Sequence, residues 1–157
     1  MAGCGYRTAG HNVRLPADLH TLAIPSFTNQ TSSYRIEQIL TAAVVREFDT
    51  RTKYHIVSDP EGADAVLRGT VISTQVAPVT YDSATGRAAT ALVTVTTRIV
   101  LSDSKGTILY QNPGYVFHEQ YQISREISSF FEEDTPALDR LSRQFARTLV
   151  ADVLEAF

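Results

Sequence analysis

The chain has 157 residues, the length of one domain, with 14 Lys and Arg against 17 Asp and Glu and a formal net charge of −3. At 43% hydrophobic and 20% charged it carries enough apolar side chains to bury a core, which excludes disorder for most of its length. An acidic balance gives no global attraction to a polyanion, so no nucleic-acid partner is expected and any anion site has to be local.

The chain opens Met1-Ala2-Gly3-Cys4-Gly5-Tyr6, small residues leading to its one cysteine. A lone cysteine has no disulfide partner within the chain and cannot build a thiolate metal cluster. The tetrapeptide resembles the end of a bacterial lipoprotein signal, the Leu-Ala-Gly-Cys box. Small residues suit such a box because the chain must lie extended in a protease cleft. In that pattern an apolar helix precedes the box and is expected upstream of Met1, in a segment of the kind removed by processing or trimming. Lipid on Cys4 would anchor the chain, each buried CH₂ contributing ~0.8 kcal/mol; the alternative is a free thiol in a frayed terminus. Residues 5–18, polar with Gly10 and Pro16, read as an extended lead-in.

Residues 19–27 form a short first strand through Leu22, Ile24 and Phe27. Residues 29–33 are a turn or cap cluster. Apolar positions then take helical spacing at Ile36, Ile39, Leu40, Ala43, Val44 and Phe48, with Ser32 or Ser33 as N-cap and Glu37 in the first turns, complementing the helix dipole. Residues 54–58 look like a short strand, followed by the turn Asp59-Pro60-Glu61-Gly62. Residues 63–76 place Ala65, Leu67 and Val71 on one face and Val66, Ile72 and Val76 on the other. Residues 78–87 break the pattern as a hairpin loop.

From Thr90 to Leu101 the odd positions Ala91, Val93, Val95, Ile99 and Leu101 alternate with Thr90, Thr94, Thr96 and Arg98. A period of two with one wetter face is a strand packed on one side against helices. A turn over 102–106 leads into a last strand over 107–121, where Asn112-Pro113-Gly114 marks a bulge or an edge, because proline cannot donate to a ladder. Thr135 and Pro136 read as N-cap and first helical position; Leu138, Leu141, Phe145, Leu149 and Val153 then mark one helix face. The expectation is α+β: two helices packed on one face of a mixed, mostly antiparallel four-stranded sheet, in the order β-α-β-β-β-α. Residues 1–18 are the lipid-anchor region and lead-in, and 19–157 a single α+β domain.

Catalysis finds no support. There is no Gly-x-Ser-x-Gly elbow, Ser-x-x-Lys, dinucleotide fingerprint or P-loop. His11, His20, His55 and His118 have no i,i+4 pair and no His-x-His, so no metal is expected and no cofactor is implied. Glu132, Glu133 and Asp134 precede the last helix, where negative charge is favourable by ~0.3–1 kcal/mol each. Arg140, Arg143 and Arg147 share the last helix's polar face, either to hold phosphates or as a solvated face paired to Asp139 and its neighbours. Arg68, Arg98 and Arg125 lie on or beside strands, with Arg87 in the 78–87 loop, as a soluble edge or an anion site. Tyr110, Tyr115, Phe117 and Tyr121 are core aromatics by default; exposed beside arginines they would suit an amphiphile with acyl chains and phosphates.

Cys4-Gly5-Tyr6, Leu22-Ala23-Ile24-Pro25-Ser26-Phe27-Thr28-Asn29-Gln30-Thr31, Glu37-Gln38-Ile39-Leu40-Thr41 and Ala63-Asp64-Ala65-Val66-Leu67-Arg68-Gly69, with the closing amphipathic helix, together resemble the lipopolysaccharide-assembly lipoprotein family, LptE-like. The resemblance runs from Cys4 to the C-terminus. It implies a non-enzymatic lipoprotein of the outer membrane, anchored by lipid on Cys4, with a four-stranded sheet backed by two helices. It also implies a plug in the LptD-type β-barrel and binding of lipopolysaccharide by basic residues, for which Arg87, Arg98 and Arg125 are the choices on chemical grounds. Gly5 fits outer-membrane sorting, since lipoproteins kept at the inner membrane commonly carry Asp there. A periplasmic lipoprotein that regulates a cell-wall synthase or another envelope complex is the alternative, and a small hydrolase the more distant rival.

Overall fold

A computed structural model describes residues 18–33, 35–122 and 136–156. The elements run β1 (Thr21–Ala23), β2 (Thr28–Asn29), α1 (Ile36–Arg51), β3 (His55–Val57), β4 (Ala65–Tyr81), β5 (Ala88–Asp103), β6 (Ile108–Gln122) and α2 (Pro136–Glu155). They build one six-stranded mixed sheet in the order β3-β1-β4-β5-β6, with β2 also on β4. β1 pairs parallel with β3 and β4, β2 pairs parallel with β4, and the three long strands β4, β5 and β6 are antiparallel. Parallel neighbours need a crossover, which α1 supplies between β1 and β3.

The fold class is the expected α+β, but the sheet has six strands instead of four. Part of the excess is β2, which lies just beyond the segment 19–27; within that segment only Thr21–Ala23 is strand. Pro25 has no N–H to give a ladder, and the flanking Ile24 and Phe27 turn into the core. β1 leaves β4 at Ala23↔Val66 and β2 rejoins it at Thr28↔Thr70, so one residue more is spent on this side than on β4. The short strand expected over 54–58 is present as β3, and it joins the sheet as a three-residue edge strand on β1.

Alternation on β5 survives intact: Ala91, Val93, Val95, Thr97, Ile99 and Leu101 are all buried under the helices. On β4 it does not. Ala65, Leu67, Gly69 and Val71 point inward, but a bulge between Val71 and Ser73 spends Ile72 as an extra residue and reverses the phase. Val76, expected on the face of Val66, therefore pairs with the inward Val93. β4 also runs on through Pro78 to Tyr81, so the expected 78–87 loop shrinks to a turn over 82–87, closed by Asp82 N–H on the Arg87 carbonyl at 2.7 Å. On β6 the register passes from Thr97↔Tyr115 to Ile99↔Asn112, placing a bulge at Pro113-Gly114. β6 is also the last strand of the sheet order, so Pro113 sits in a strand that is both bulged and at an edge.

Helix α1 starts later than expected. Its N-cap is Arg35, in the left-handed region at φ 62, with no side-chain cap bond. Ser33 lies two residues before that cap, and its hydroxyl is hydrogen-bonded to Thr74 Oγ1 at 2.5 Å. Asn29 ties the approach instead: its Nδ2 donates to the Ser33 carbonyl at 2.8 Å and to Glu37 Oε2 at 3.0 Å, and its Oδ1 accepts from Thr31 N–H at 2.9 Å.

The apolar stripe of α2, Leu138, Leu141, Phe145, Leu149 and Val153, is buried throughout. Phe145 stands nearly perpendicular to three rings, with centroids 4.9 Å from Phe117, 6.1 Å from Tyr115 and 6.3 Å from Phe27. The Phe27 ring in turn lies over Gly69, where a Cβ would come within 2.6 Å of it, so β4 carries glycine at the one point where an aromatic ring presses on the strand.

Candidate lipid-binding face of the sheet

Because both helices cover one side of the sheet, the side chains that β4, β5 and β6 point the other way have no layer above them among the described residues. Pairing register assigns that outer face. Its successive rows are Arg68 with Val100 and Gln111, Thr70 with Arg98, Ser73 with Thr96 and Val116, and Gln75 with Thr94 and His118. Hydroxyl and amide groups dominate, and Thr94 Oγ1 lies 3.0 Å from His118 Nδ1. Apolar groups share it: Val116 and Ile108 are each about half exposed, and the register puts Val66, Val100 and Leu92 on the same side.

The charges on this face are of one sign. Arg98 lies between the buried Thr97 and Ile99, so it points outward, and it is exposed. Arg68 is exposed on the same face, and the register makes it the diagonal neighbour of Arg98 on the adjacent strand, roughly 7–8 Å away. Neither makes an ion pair among the described residues. The carboxylates of the three strands are elsewhere. Glu119 pairs with the inward Val93 and forms a 3.0 Å ion pair with Arg140 of α2, while Asp103 closes the β5–β6 turn by accepting the Lys105 and Thr107 N–H groups, both at 2.9 Å. Two unneutralised charges at that separation repel by only about 0.5 kcal/mol in water but by about 2 kcal/mol at an effective dielectric of 20. An anion between them removes that cost and gains two guanidinium forks.

The other expected positions are scattered. Arg87 sits at the far end of the β4–β5 hairpin, eleven residues from Arg98 and so roughly 35 Å along a strand rising about 3.3 Å per residue. The hairpin bring-together is therefore Arg68 with Arg98, not Arg87 with Arg98. Cys4, His11, Arg125, Glu132, Glu133, Asp134, Thr135 and the Tyr121 side chain lie outside the described residues. On α2, Arg140 is paired to Glu119 and Arg143 to Asp139, the solvated-face reading, and Arg51 Nη1 donates to the Arg147 carbonyl at 3.4 Å. Tyr115 and Phe117 are core aromatics, not an exposed edge. Tyr115 donates its hydroxyl to the Asp152 carboxylate; burial first, then that bond and charge, push the phenol's pKa far up. The same surroundings raise Tyr110, burial again being the larger cause.

The match to known families fits this arrangement. The family model LptE, Lipopolysaccharide-assembly, covers residues 19–153, the whole of the sheet and nearly all of both helices. The chain belongs to the LptE family. That makes it a member of a family of lipopolysaccharide assembly. No curated protein sequence matches this LptE-family chain significantly. Among solved structures it is similar to a hypothetical protein of Chlamydia trachomatis, with TM-score 0.58 and 9% identity over 88% of this chain and 97% of that one. It is also similar to lipoprotein B of Nitrosomonas europaea, TM-score 0.56 and 12% identity over 86% and 82%, and to rare lipoprotein B of Shewanella oneidensis, TM-score 0.54 and 13% identity over 84% and 94%. At such identities the likeness is one of fold.

Arg68 is named from the sequence among the strand arginines of a soluble edge or anion site, but not among the three choices for lipopolysaccharide. Its signal was the chain's own alternation: Arg68 stands between Leu67 and Gly69, both inward, so it is outward on β4 as Arg98 is on β5. What the sequence does not carry is the register that sets the two side by side.

Proposed function

We propose that this LptE-family chain is an outer-membrane lipoprotein that assists lipopolysaccharide transport by occupying an LptD-type β-barrel and binding lipopolysaccharide. Residues 1–18 are the anchor and lead-in, with lipid on Cys4, and residues 19–157 form the domain held at the barrel. The family match over residues 19–153 carries the reading. The outer face, which carries Arg68 and Arg98 and no carboxylate among the described residues of its three strands, supports the lipid-binding part of it. The mechanism is occupancy: a rigid sheet backed by two helices fills space in the barrel and offers its uncovered face to the lipid. Arg87 at the hairpin end and Arg125 beyond β6 are further positions for basic contacts with the lipid.

Two measurements test this. Affinity capture of the full-length precursor from envelope extracts is expected to recover a large β-barrel protein; recovery of a cell-wall synthase in its place overturns the barrel assignment. The Cys4→Ala precursor is expected in the soluble periplasmic fraction. Its retention in membranes after high-salt washing overturns the anchor.

A further inference from the structure

The chain enters the sheet through β1, which lies between two neighbours. It pairs with β3 over Thr21–Ala23 and with β4 through Leu22 and Ala23, and among the described residues β3 joins the sheet only through β1. Leu19, Leu22 and Ile24 are buried along this entry. On the β4 side the ladder stops short of Thr21, because the chain just before β4 is in a turn, with Ala63 N–H on the Pro60 carbonyl at 3.2 Å. No backbone carbonyl of β4 is therefore placed to accept the N–H groups of His20 and Thr21. The Asp64 side chain takes both: its Oδ2 accepts His20 N–H at 2.8 Å and Thr21 N–H at 2.9 Å. The Asp64 backbone adds its own N–H to the Thr21 carbonyl at 3.0 Å and accepts Ser104 N–H at 3.0 Å, which ties the entry to the β5–β6 turn as well.

We infer that Asp64 is a lock on the chain's entry, which makes the sheet take up a pull on the residues before Leu19 and keeps β1 from peeling out from between β3 and β4. The inference rests on the reading that residues 1–18 tether the domain to a membrane, since only a tethered entry is pulled. β1 runs parallel to β4 and enters beside Asp64, at the end of the sheet opposite the 82–87 turn. A pull from that end runs along the strands. It loads the bonds of β1 to β3 and to β4 together, where a pull across the strands would break them one at a time. The first bonds it meets are the two on the Asp64 carboxylate, and a charged acceptor makes them stronger than the neutral bonds of the ladder. Those same bonds, Thr21 first and then His20, hold the carboxyl's pKa below its ordinary value, so the acceptor keeps its charge at neutral pH. Losing β1 would free β3 with it, so the lock guards one whole edge of the sheet.

The test uses the full chain without lipid, as Asp64→Ala, which removes the acceptor, and Asp64→Asn, which keeps an oxygen there but not the charge. In native-state hydrogen exchange, Asp64→Ala is expected to speed the His20, Thr21 and Leu22 amides by about tenfold or more, Asp64→Asn to speed them less, and both to leave the Val93 and Val95 amides of β5 as they were. Equal acceleration in β1 and β5 overturns the lock in favour of a general loss of stability, and unchanged β1 amides in Asp64→Ala overturn it outright. A second measurement applies the load itself. The chain is held by the Cys4 thiol and by a second thiol introduced as Ser83→Cys in the exposed 82–87 turn, so that the pull runs along the strands. The force at which β1 leaves is expected to be lower in Asp64→Ala than in the unaltered chain, with Asp64→Asn between them; equal forces in all three overturn the inference. Neither measurement needs a membrane, so the lock fails separately from the anchor, which fractionation of the Cys4→Ala precursor tests.

Discussion

The two faces of the sheet are made from the same three strands and do opposite work. The inner face of β5 is continuously buried from Ala91 to Leu101, and the rings of Phe27, Tyr115, Phe117 and Phe145 close over it. The outer face, one residue out of phase, carries threonines, glutamines and the two arginines. The inner face sustains the fold, and among the described residues neither helix packs on the outer face. A one-residue slip would exchange the two, which is why the bulges at Ile72 and at Pro113-Gly114 matter: each lets a strand change phase or shed a residue without moving its neighbour.

Mutations separate the faces by size of effect. Phe145→Ala, which empties the centre of the aromatic cluster, is expected to cost about 3–5 kcal/mol in chemical denaturation. Next is Gly69→Ala, which pushes a methyl group into the Phe27 ring and is expected to cost about 1–3 kcal/mol. Combining it with Phe27→Leu should cost less than the sum of the two single changes, and strict additivity would show that ring and glycine do not press on one another.

An acid titration gives a smaller, conditional effect. The Asp64 carboxylate accepts Thr21 N–H at 2.9 Å and His20 N–H at 2.8 Å, and those two bonds hold its pKa below the ordinary carboxylate value. The folded chain therefore takes up this proton less readily than the unfolded one. The stability involved is complete above an ordinary carboxylate pKa of about 4 and is lost as pH falls through the lower folded-state value. In Asp64→Asn that contribution no longer titrates, so melting temperature plotted against pH should fall less steeply below about pH 4 than in the unaltered chain. Equal slopes would refute the assignment.

Smallest of all is the outer face. Arg68→Gln and Arg98→Gln are expected to change stability by no more than about 0.5 kcal/mol in either direction, since neither arginine has an ion pair among the described residues to lose. A loss above 1 kcal/mol in thermal melting would mean that this face is part of the fold's support and would erase the contrast between the two sides.

Much of the fold is legible in the residue order. The alternation of β5, the stripe of α2 and the breaker Asn112-Pro113-Gly114 are local patterns, and each forms as its period or its missing N–H requires. Less legible are features whose cause lies far along the chain. Ser33 reads as a helix cap, but Thr74 on β4 takes its hydroxyl. Val76 reads as outward, but the Ile72 bulge turns it inward. Residues 19–27 read as one strand, but only Thr21–Ala23 is strand, and Pro25 and the inward turn of Phe27 onto Gly69 separate it from β2. The site divides in the same way: Arg98 is visible as a polar position of a clear strand, while its partnership with Arg68 depends on the β4–β5 register.

By itself the sequence determined the α+β class, the inward and outward sets of β5 and α2, and the family, because those rest on periodicity and on contiguous motifs. Tertiary structure alone decided the number of strands, the phase of β4 and which arginines are neighbours. Each of these is a matter of register between segments distant in the chain, and register is set by how whole faces pack and where a bulge absorbs the mismatch, which no local pattern records.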